Sequence, residues 1–260
     1  MRNRRIGWAL ALSVLVTGCG SPADHAVSPP PTTLEAPQPP DSARAELASR
    51  AAAAKDLAAV HAYTYAVPEQ LDRRVLAIRT GAGDWRVDVP GGALGGAADV
   101  AIAALDDELY HCTLQATTVA GPGCVAVATI PPESDPRVQH VFTRWLDVFV
   151  DRAAAVAVVT VPGPEAGADG GDCFAVTPSS ASLAPPVAAG VYCYRADGTL
   201  TYAESEVGTL TLTDTSAAPE TIDLPAPVVP GDPAPTAPAP TPPATGTPAP
   251  AGTPAPAPSG

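Results

Sequence analysis

Asp135-Pro-Arg-Val-Gln-His-Val-Phe-Thr-Arg-Trp-Leu-Asp-Val-Phe-Val150 is the stretch on which the fold turns. Asp135 is a helix-capping residue type and Pro136 suits a first helical turn. Val138, Val141, Phe142, Trp145, Leu146 and Phe149 recur at i, i+3, i+4, i+7, i+8 and i+11. That spacing predicts a helix from Pro136 to Ala153 with one apolar stripe. A stripe of this width has to be buried on another layer, and the sequence on both sides of it reads as strands.

Upstream, Tyr63, Tyr65 and Val67 alternate with Thr64 and Ala66, and Val75 to Thr80 and Trp85 to Val89 flank Gly81-Ala82-Gly83 as a hairpin. Trp85, Val87 and Val89 share one face, with Arg86 and Asp88 on the other. Val100 to Leu105 and Leu109 to Leu114 surround Asp106-Asp107-Glu108, and Cys124 to Ile130 reads as a further strand. Downstream follow Ala155 to Val161, the glycine-rich loop Gly163 to Gly171, Cys173 to Thr177, Val191 to Arg195, Leu200 to Glu204 and Thr209 to Thr213. Asp197-Gly198 predicts a type I′ turn, because Gly tolerates positive φ. An earlier helix is predicted from a cap at Asp41 or Ser42 to about Val60, on the spacing of Leu47, Ala51, Ala54 and Leu57 or Ala58. Eight to ten antiparallel strands, with one helix before them and one in the middle, define an α+β class. The expected architecture is a curved antiparallel sheet (half-barrel) wrapped over one or two helices, with disordered Pro-rich termini.

The ends carry the address. Arg2, Arg4 and Arg5 precede the apolar segment Ile6 to Val16, and Thr17-Gly18 lead into Cys19, the layout of a secretory signal. This eleven-residue segment rises only about 16 Å as a helix against a hydrocarbon core of about 30 Å, too short for a stable span. Val16-Thr17-Gly18-Cys19 resembles the bacterial lipobox, which implies acylation of Cys19 and anchoring on the extracytoplasmic face of the cell membrane. The expected organisation is a lipoprotein signal peptide over 1–18, a lipidated Cys and Pro-rich tether over 19–40, one domain over 41–229, and a Pro/Ala/Thr-rich tail over 230–260. The tether could extend roughly 65 Å as polyproline II. The tail has too few bulky apolar groups to repay its ordering entropy.

Charge and cysteine count fit this address. Loss of Arg2, Arg4 and Arg5, with no acid leaving, takes the formal net charge from −13 to −16. A chain so acidic repels nucleic acid and anionic lipid head groups, so membrane affinity has to come from acyl chains. Of the five Cys, lipidation of Cys19 leaves Cys112, Cys124, Cys173 and Cys193. Four cysteines pair in three ways and sequence does not choose among them. Cys112 with Cys124 and Cys173 with Cys193 are favoured because each closes a short local loop.

Chemistry is sparse. Gly-x-Ser-x-Gly, phosphate-loop, dinucleotide and kinase signatures are absent, and His25, His61, His111 and His140 are dispersed without metal-ligand spacing. Asp106-Asp107-Glu108 lacks the spacing of a calcium loop and reads as a solvated turn. Lys55, the single lysine, lies in the early alanine-rich helix, which excludes a mechanism needing a lysine inside the domain. No catalytic residue, metal site or cofactor is expected, and an enzyme would require His61, His111 or His140 beside a carboxylate and a nucleophile.

Taken together, the lipobox at Cys19, the early helix leading into Tyr63-Thr64-Tyr65, the hairpin Gly81 to Val89, and the run Val191-Tyr-Cys-Tyr-Arg-Ala-Asp-Gly-Thr-Leu-Thr-Tyr202 ending in Ile222-Asp-Leu-Pro225 carry a resemblance. The chain resembles the actinobacterial envelope lipoproteins that share the half-barrel of the LolA-type lipoprotein carriers and the mycobacterial glycolipid-carrying lipoproteins. This resemblance implies a non-enzymatic protein that holds an apolar or lipidated ligand between sheet and helices. The residues expected to line that site are Trp85, Val87, Val89, Phe142, Trp145 and Phe149. The chain differs from the family in its cysteine pattern and in a domain dominated by Ala and Val. The alternative expectation is an envelope interaction or structural lipoprotein that binds a protein or cell-wall partner and encloses no ligand cavity.

Overall fold

A computed structural model describes residues 40–116, 122–164, 171–179 and 185–231. The predicted signal, Cys19 and the tether up to residue 39 lie outside the described residues, as does the tail from 232. Eleven strands form one antiparallel sheet: β1 Ala59–Ala66, β2 Arg73–Arg79, β3 Trp85–Ala93, β4 Ala98–Leu105, β5 Glu108–Ala116, β6 Gly123–Val127, β7 Val156–Val161, β8 Asp172–Pro178, β9 Gly190–Tyr194, β10 Leu200–Ser205 and β11 Gly208–Ala217. Their order is β6-β5-β4-β3-β2-β1-β11-β10-β9-β8-β7, so the sheet is open, with β6 and β7 at its edges. Two meanders meet where the first strand pairs with the last, from Ala59 opposite Ala217 to Ala66 opposite Thr209. Every segment read as a strand from the sequence is a strand, although β6 stops at Val127 rather than Ile130.

One face of the sheet, here the inner face, carries the main core. Tyr63, Val75, Val87, Val89, Val100, Phe174, Tyr192 and Tyr194 are buried there with the helical residues Leu47, Ala51, Val138, Val141, Trp145, Leu146 and Phe149. The helices correct the sequence reading in two ways. Helix α1 spans Pro40–Asp56 and stops short of Val60, because Val60 and the alternating His61 to Tyr65 are drawn into β1 between β2 and β11. The central helix is not continuous from Pro136 to Ala153. A 3-10 turn, Arg137–Phe142, is followed by a break at Thr143 (φ −131°, ψ −107°) and a short α2, Arg144–Val150.

Local hydrogen bonds account for the break. Asp135 does not cap; its carboxylate accepts from His140 Nε2 at 2.7 Å instead. The Thr143 hydroxyl donates back to Gln139, to its carbonyl at 3.1 Å and to Oε1 at 2.8 Å, competing with continuation of the helix. Beyond Val150 the chain is extended at Asp151, and Arg44 of α1 donates to the carbonyls of Asp151 (2.7 Å), Ala154 (2.9 Å) and Val156 (2.5 Å). A guanidinium at that end also complements the helix dipole. The apolar stripe nevertheless identified the buried set, because a 3-10 turn followed by an α turn still leaves those side chains on one side: all are buried except Phe142, which is partly so.

Turn chemistry gives a third correction. Asp197-Gly198 is not a type I′ turn. Arg195 N–H donates to Thr199 O (2.8 Å), Gly198 N–H donates to Arg195 O (3.1 Å), and only Gly198 has positive φ (90°), which makes a three-residue loop. Gly81-Ala82-Gly83 repeats the pattern between Thr80 and Asp84. The type I′ geometry falls at Asp106 (φ 51°) and Asp107 (φ 65°), between β4 and β5.

The outer face is held by cross-strand disulfides. Cys112 of β5 pairs with Cys124 of β6, and Cys173 of β8 with Cys193 of β9, each pair directly opposite in register with Cα atoms 4.0 Å apart. So close a pair is the non-hydrogen-bonded kind, in which backbone groups point away from the partner strand. Cys124 therefore turns its N–H and C=O out of the sheet edge. The chain after β11 returns to meet them: Cys124 N–H donates to Pro227 O (2.8 Å) and Val229 N–H to Cys124 O (2.9 Å). Leu224 and Ala226 pack on the Cys112–Cys124 bridge, and Arg86, paired with Asp88, donates to Asp223 O (2.7 Å). A strap thus runs across the outer face, within the expected domain limit at 229, and meets the β6 edge at Cys124.

Gly198 is the most exacting backbone position. Its φ is positive, and a Cβ there would lie 2.2 Å from Ala54 N and 2.6 Å from the carbonyl carbon of Ala53, both backbone atoms of α1. Gly198→Ala is expected to lower unfolding free energy by about 3 kcal/mol, the upper part of the single-substitution range. Urea denaturation read by far-UV circular dichroism checks this, and a loss under about 1 kcal/mol contradicts the close packing of α1 on the turn.

Candidate functional site

Alternation along the strands decides which residues face the helices. On β1, His61 and Tyr63 point inward; on β2, Val75, Ala77 and Arg79; on β3, Trp85, Val87 and Val89. At the end of the sheet where β2 turns into β3, Arg79 is opposite Trp85 and Ala59 opposite Arg79. There the inner face, the end of α1 and the 3-10 turn bound an apolar cleft lined by Leu57, His61, Tyr63, Arg79, Trp85, Val87, Phe142 and Tyr194 among others.

Of the six residues expected to line a ligand site, the structure brings Trp85, Val87 and Phe142 into this cleft. Val89, Trp145 and Phe149 are fully buried in the core. Trp145 meets Tyr192 edge-on at 6.1 Å, Phe149 meets Tyr192 at 5.1 Å, and Phe142 meets Tyr63 at 5.0 Å. Offset and edge-to-face contacts of this kind add to the energy of burial and fix the rings. The cleft volume is about 50 Å³. That is room for a few water molecules or the tip of a side chain, since one water needs about 10–15 Å³ and small-molecule pockets run to about 300–1,000 Å³.

The polar wall of the cleft was not anticipated as a site. Arg79 reaches across and donates to Phe142 O (3.0 Å), holding the end of the 3-10 turn against the sheet. Burial pushes the Arg79 guanidinium down from its ordinary value, with Asp147 and Asp56 opposing. His61 Nε2 and the Tyr194 hydroxyl are buried without a hydrogen-bond partner. Burial lowers the His61 pKa, Asp197 raises it and Arg195 lowers it further. Burial holds the Tyr194 hydroxyl well above its ordinary value. Period-two reading of Val75-Leu-Ala-Ile-Arg79 and of His61-Ala-Tyr-Thr-Tyr65 already places Arg79 and His61 on the inward face, which is the signal that locates them.

Beside it lies a larger open groove of about 490 Å³, lined by Lys55, Arg79, Asp135, His140, Arg144 and Asp147 with Trp85 and Ile130. Lys55 Nζ pairs with Asp147 at 2.5 Å, joining α1 to α2 across an exposed rim. His140 is buried and both ring nitrogens are engaged. Gln139 Oε1 accepts from Thr143, so its amide donates to His140 Nδ1 (2.7 Å), which leaves His140 Nε2–H to donate to Asp135. The result is a knot that fixes the 3-10 turn. His111, on β5, contacts Ser134 O through Nε2 at 3.1 Å and is likewise buried. Among the described residues no group of three or more His, Cys, Asp or Glu is placed to hold a metal ion.

Both disulfides join the residues favoured from the sequence, and Cys19 lies outside the described residues. No protein-family model and no curated protein matches the chain.

The lowered pKa of His61 has a signed consequence. The folded state disfavours its protonation, so as pH falls through the unfolded value near 6.5 the unfolded chain binds the proton first and stability drops. The drop ends below the folded pKa. His61→Asn is expected to flatten the change in urea midpoint between pH 7 and pH 5 relative to wild type. An unchanged profile in the variant contradicts the assignment.

Proposed function

We propose that this chain is a lipoprotein of the cell envelope, anchored by an acylated Cys19 on the extracytoplasmic face. Its half-barrel domain binds a protein or cell-wall partner at its surface and keeps a filled interior. The observation that carries this reading is the inner face itself. Trp145, Tyr63, Tyr192, Phe149 and Phe174 are fully buried between sheet and helices, and the cleft beside them measures only about 50 Å³. That cleft is too small to take an acyl chain, and the larger groove beside it is open and lined by charged residues. The open antiparallel sheet with its helices on one face supports the half-barrel resemblance, and two disulfides suit an oxidising compartment.

The carrier reading keeps one specific support: the cleft is apolar and includes Trp85, Val87 and Phe142, three of the residues expected to line a ligand site. Carriage would require the 3-10 turn and α2 to lift from the sheet, against the Arg79 and Arg44 hydrogen bonds. The surface reading leaves those bonds intact.

Native mass spectrometry of the chain extracted gently from membranes separates the two. The surface reading expects the mass of the acylated protein alone, unchanged in character by Val87→Trp. A co-purifying lipid that Val87→Trp abolishes overturns it in favour of carriage. Cys19→Ser is expected to release the chain from the membrane fraction, and retention overturns the anchor.

A further inference from the structure

The two edges of the sheet are treated differently. The strap meets β6 at Cys124, but β7, Val-Ala-Val-Val-Thr-Val from Val156 to Val161, pairs among the described residues only with β8 and contains neither charge nor proline. Natural sheets normally blunt such an edge with lysine, proline, a bulge or a covering segment.

Register identifies which backbone groups are open. Ser179 N–H donates to Ala155 O, so Ala155, Ala157, Val159 and Val161 direct their backbone groups at β8. The close Cys173–Cys193 pair requires the same phase, since it turns the backbone of Cys173 toward Val161. Val156, Val158 and Thr160 therefore point out of the sheet. Val156 is satisfied within the chain, its N–H by Ala154 O and its C=O by Arg44. Val158 and Thr160 have no partner for N–H or C=O among the described residues. Between them Val159 is 53% exposed on the outer face, next to exposed Ala157.

We propose that β7 is a homotypic docking edge, on which a second copy of this chain pairs its own β7 antiparallel about a twofold axis through Val159. In that register Val158 lies opposite Thr160 of the second copy and Thr160 opposite Val158. Each of these two pairs exchanges both N–H···O bonds, so all open groups are satisfied. Val159 lies opposite Val159 as a close non-hydrogen-bonded pair, covering the exposed apolar patch with itself. The edge is self-complementary in hydrogen bonding and in apolarity, and being uncharged it sets no like charges face to face. Because the twofold contact uses the β7 edge of both copies, this pairing closes at two.

The test uses the full-length chain carrying Cys19→Ser, so that acyl chains contribute nothing to association. Sedimentation velocity and native mass spectrometry follow oligomeric state up to about 1 mM, the weak end of specific association. Amide hydrogen exchange reads Val158 and Thr160 at the same concentrations. The expected result is a concentration-dependent dimer in which both amides exchange at least about tenfold more slowly than in the dilute monomer. Thr160→Pro, which removes an N–H unused within one copy, and Val159→Lys, which sets two like charges opposite, are each expected to give monomers with the dilute thermal midpoint unchanged. A wild-type monomer throughout, or a dimer that survives both substitutions, overturns the proposal. Protection of Val158 and Thr160 that develops only on addition of a foreign envelope protein assigns the edge to a foreign strand and overturns it equally. Should either variant fail to fold, the exchange measurement on the wild-type edge still decides.

Discussion

Pairing of β1 with β11 is the constraint on which the rest of this structure depends. Every other ladder joins strands that are neighbours in sequence, whereas this one joins Ala59–Ala66 to Gly208–Ala217 across almost the whole domain. Without it there are two separate meanders of six and five strands, each with half a core. Loop closure over so long a separation is paid for before the contact returns anything, which places this ladder among the slow steps of folding. The ladder is also irregular: Ala62 is opposite Asp214 and Tyr63 opposite Leu212, leaving Thr213 as an extra residue. Its hydroxyl donates to Ala62 O at 2.9 Å, so the acceptor disturbed by the bulge is satisfied by the residue that causes it. One position further on, the Tyr63 hydroxyl donates to Leu200 O at 3.1 Å, tying β1 to the start of β10 across β11.

Because that ladder places both meanders in one sheet, a single inner face has to be covered by few helical residues. Two features of the sequence let it be covered closely. Helix α1 presents Ala43, Leu47, Ala48 and Ala51, so its backbone comes down onto the turn at Gly198; a larger residue at either place would hold the helix off. The central segment, broken at Thr143, drops Trp145 and Phe149 onto Tyr192. Tyr192 donates to Ala188 O at 2.8 Å, so this ring is fixed at both its face and its hydroxyl. A small-residue helix, a kinked segment and anchored aromatics together favour a filled interior. A carrier cavity asks for the reverse: long helices standing away from the sheet.

Strand alternation made most of this legible in advance. Period two along β1, β2 and β3 sorts Val87 and Val89 inward and the Arg86–Asp88 pair outward, and the structure keeps that division. The two disulfides followed from local loop closure, and register then explained them, since each bridges residues directly opposite on adjacent strands. Where the reading departed from the structure, the competing interaction is identifiable. Periodicity, the residue type at Asp135 and Pro136 predict a helix over Pro136 to Ala153, and none of them carries information about Gln139, His140 and Thr143 bonding to one another and to Asp135. The glycine of Asp197-Gly198 suggests a type I′ turn, but Ala196 lengthens that loop to three residues, whereas Leu105 pairs directly with Glu108 and leaves Asp106-Asp107 as the two-residue loop that takes the geometry. The strap lies inside the expected domain limit at 229, but its course is not legible, because Leu224 to Val229 carries neither strand nor helix periodicity. What seats it on the β6 edge is the outward-facing backbone of Cys124, a property of register and not of sequence.

The disulfides and the edges are best understood as one problem. An open sheet with its helices on one face leaves the outer face little beyond the strap to cover it, and among the described residues each edge strand has one neighbouring strand in the sheet. Each bridge lies at or next to an edge, Cys112–Cys124 joining the edge strand β6 to β5 and Cys173–Cys193 joining β8 to β9 just inside β7. Closing loops of 12 and 20 residues is worth about 3 kcal/mol apiece in the chain-entropy model, a substantial share of the about 5–15 kcal/mol by which domains are stable. At β6 the bridge does a second job, because the narrow pairing it needs turns the Cys124 backbone outward and so creates the two hydrogen bonds that seat the strap. At β7 the bridge is one strand further in, and the groups its phase turns outward belong to Val158 and Thr160. The same cross-strand geometry that closes one edge from within the chain therefore leaves the other complementary to a strand from outside it.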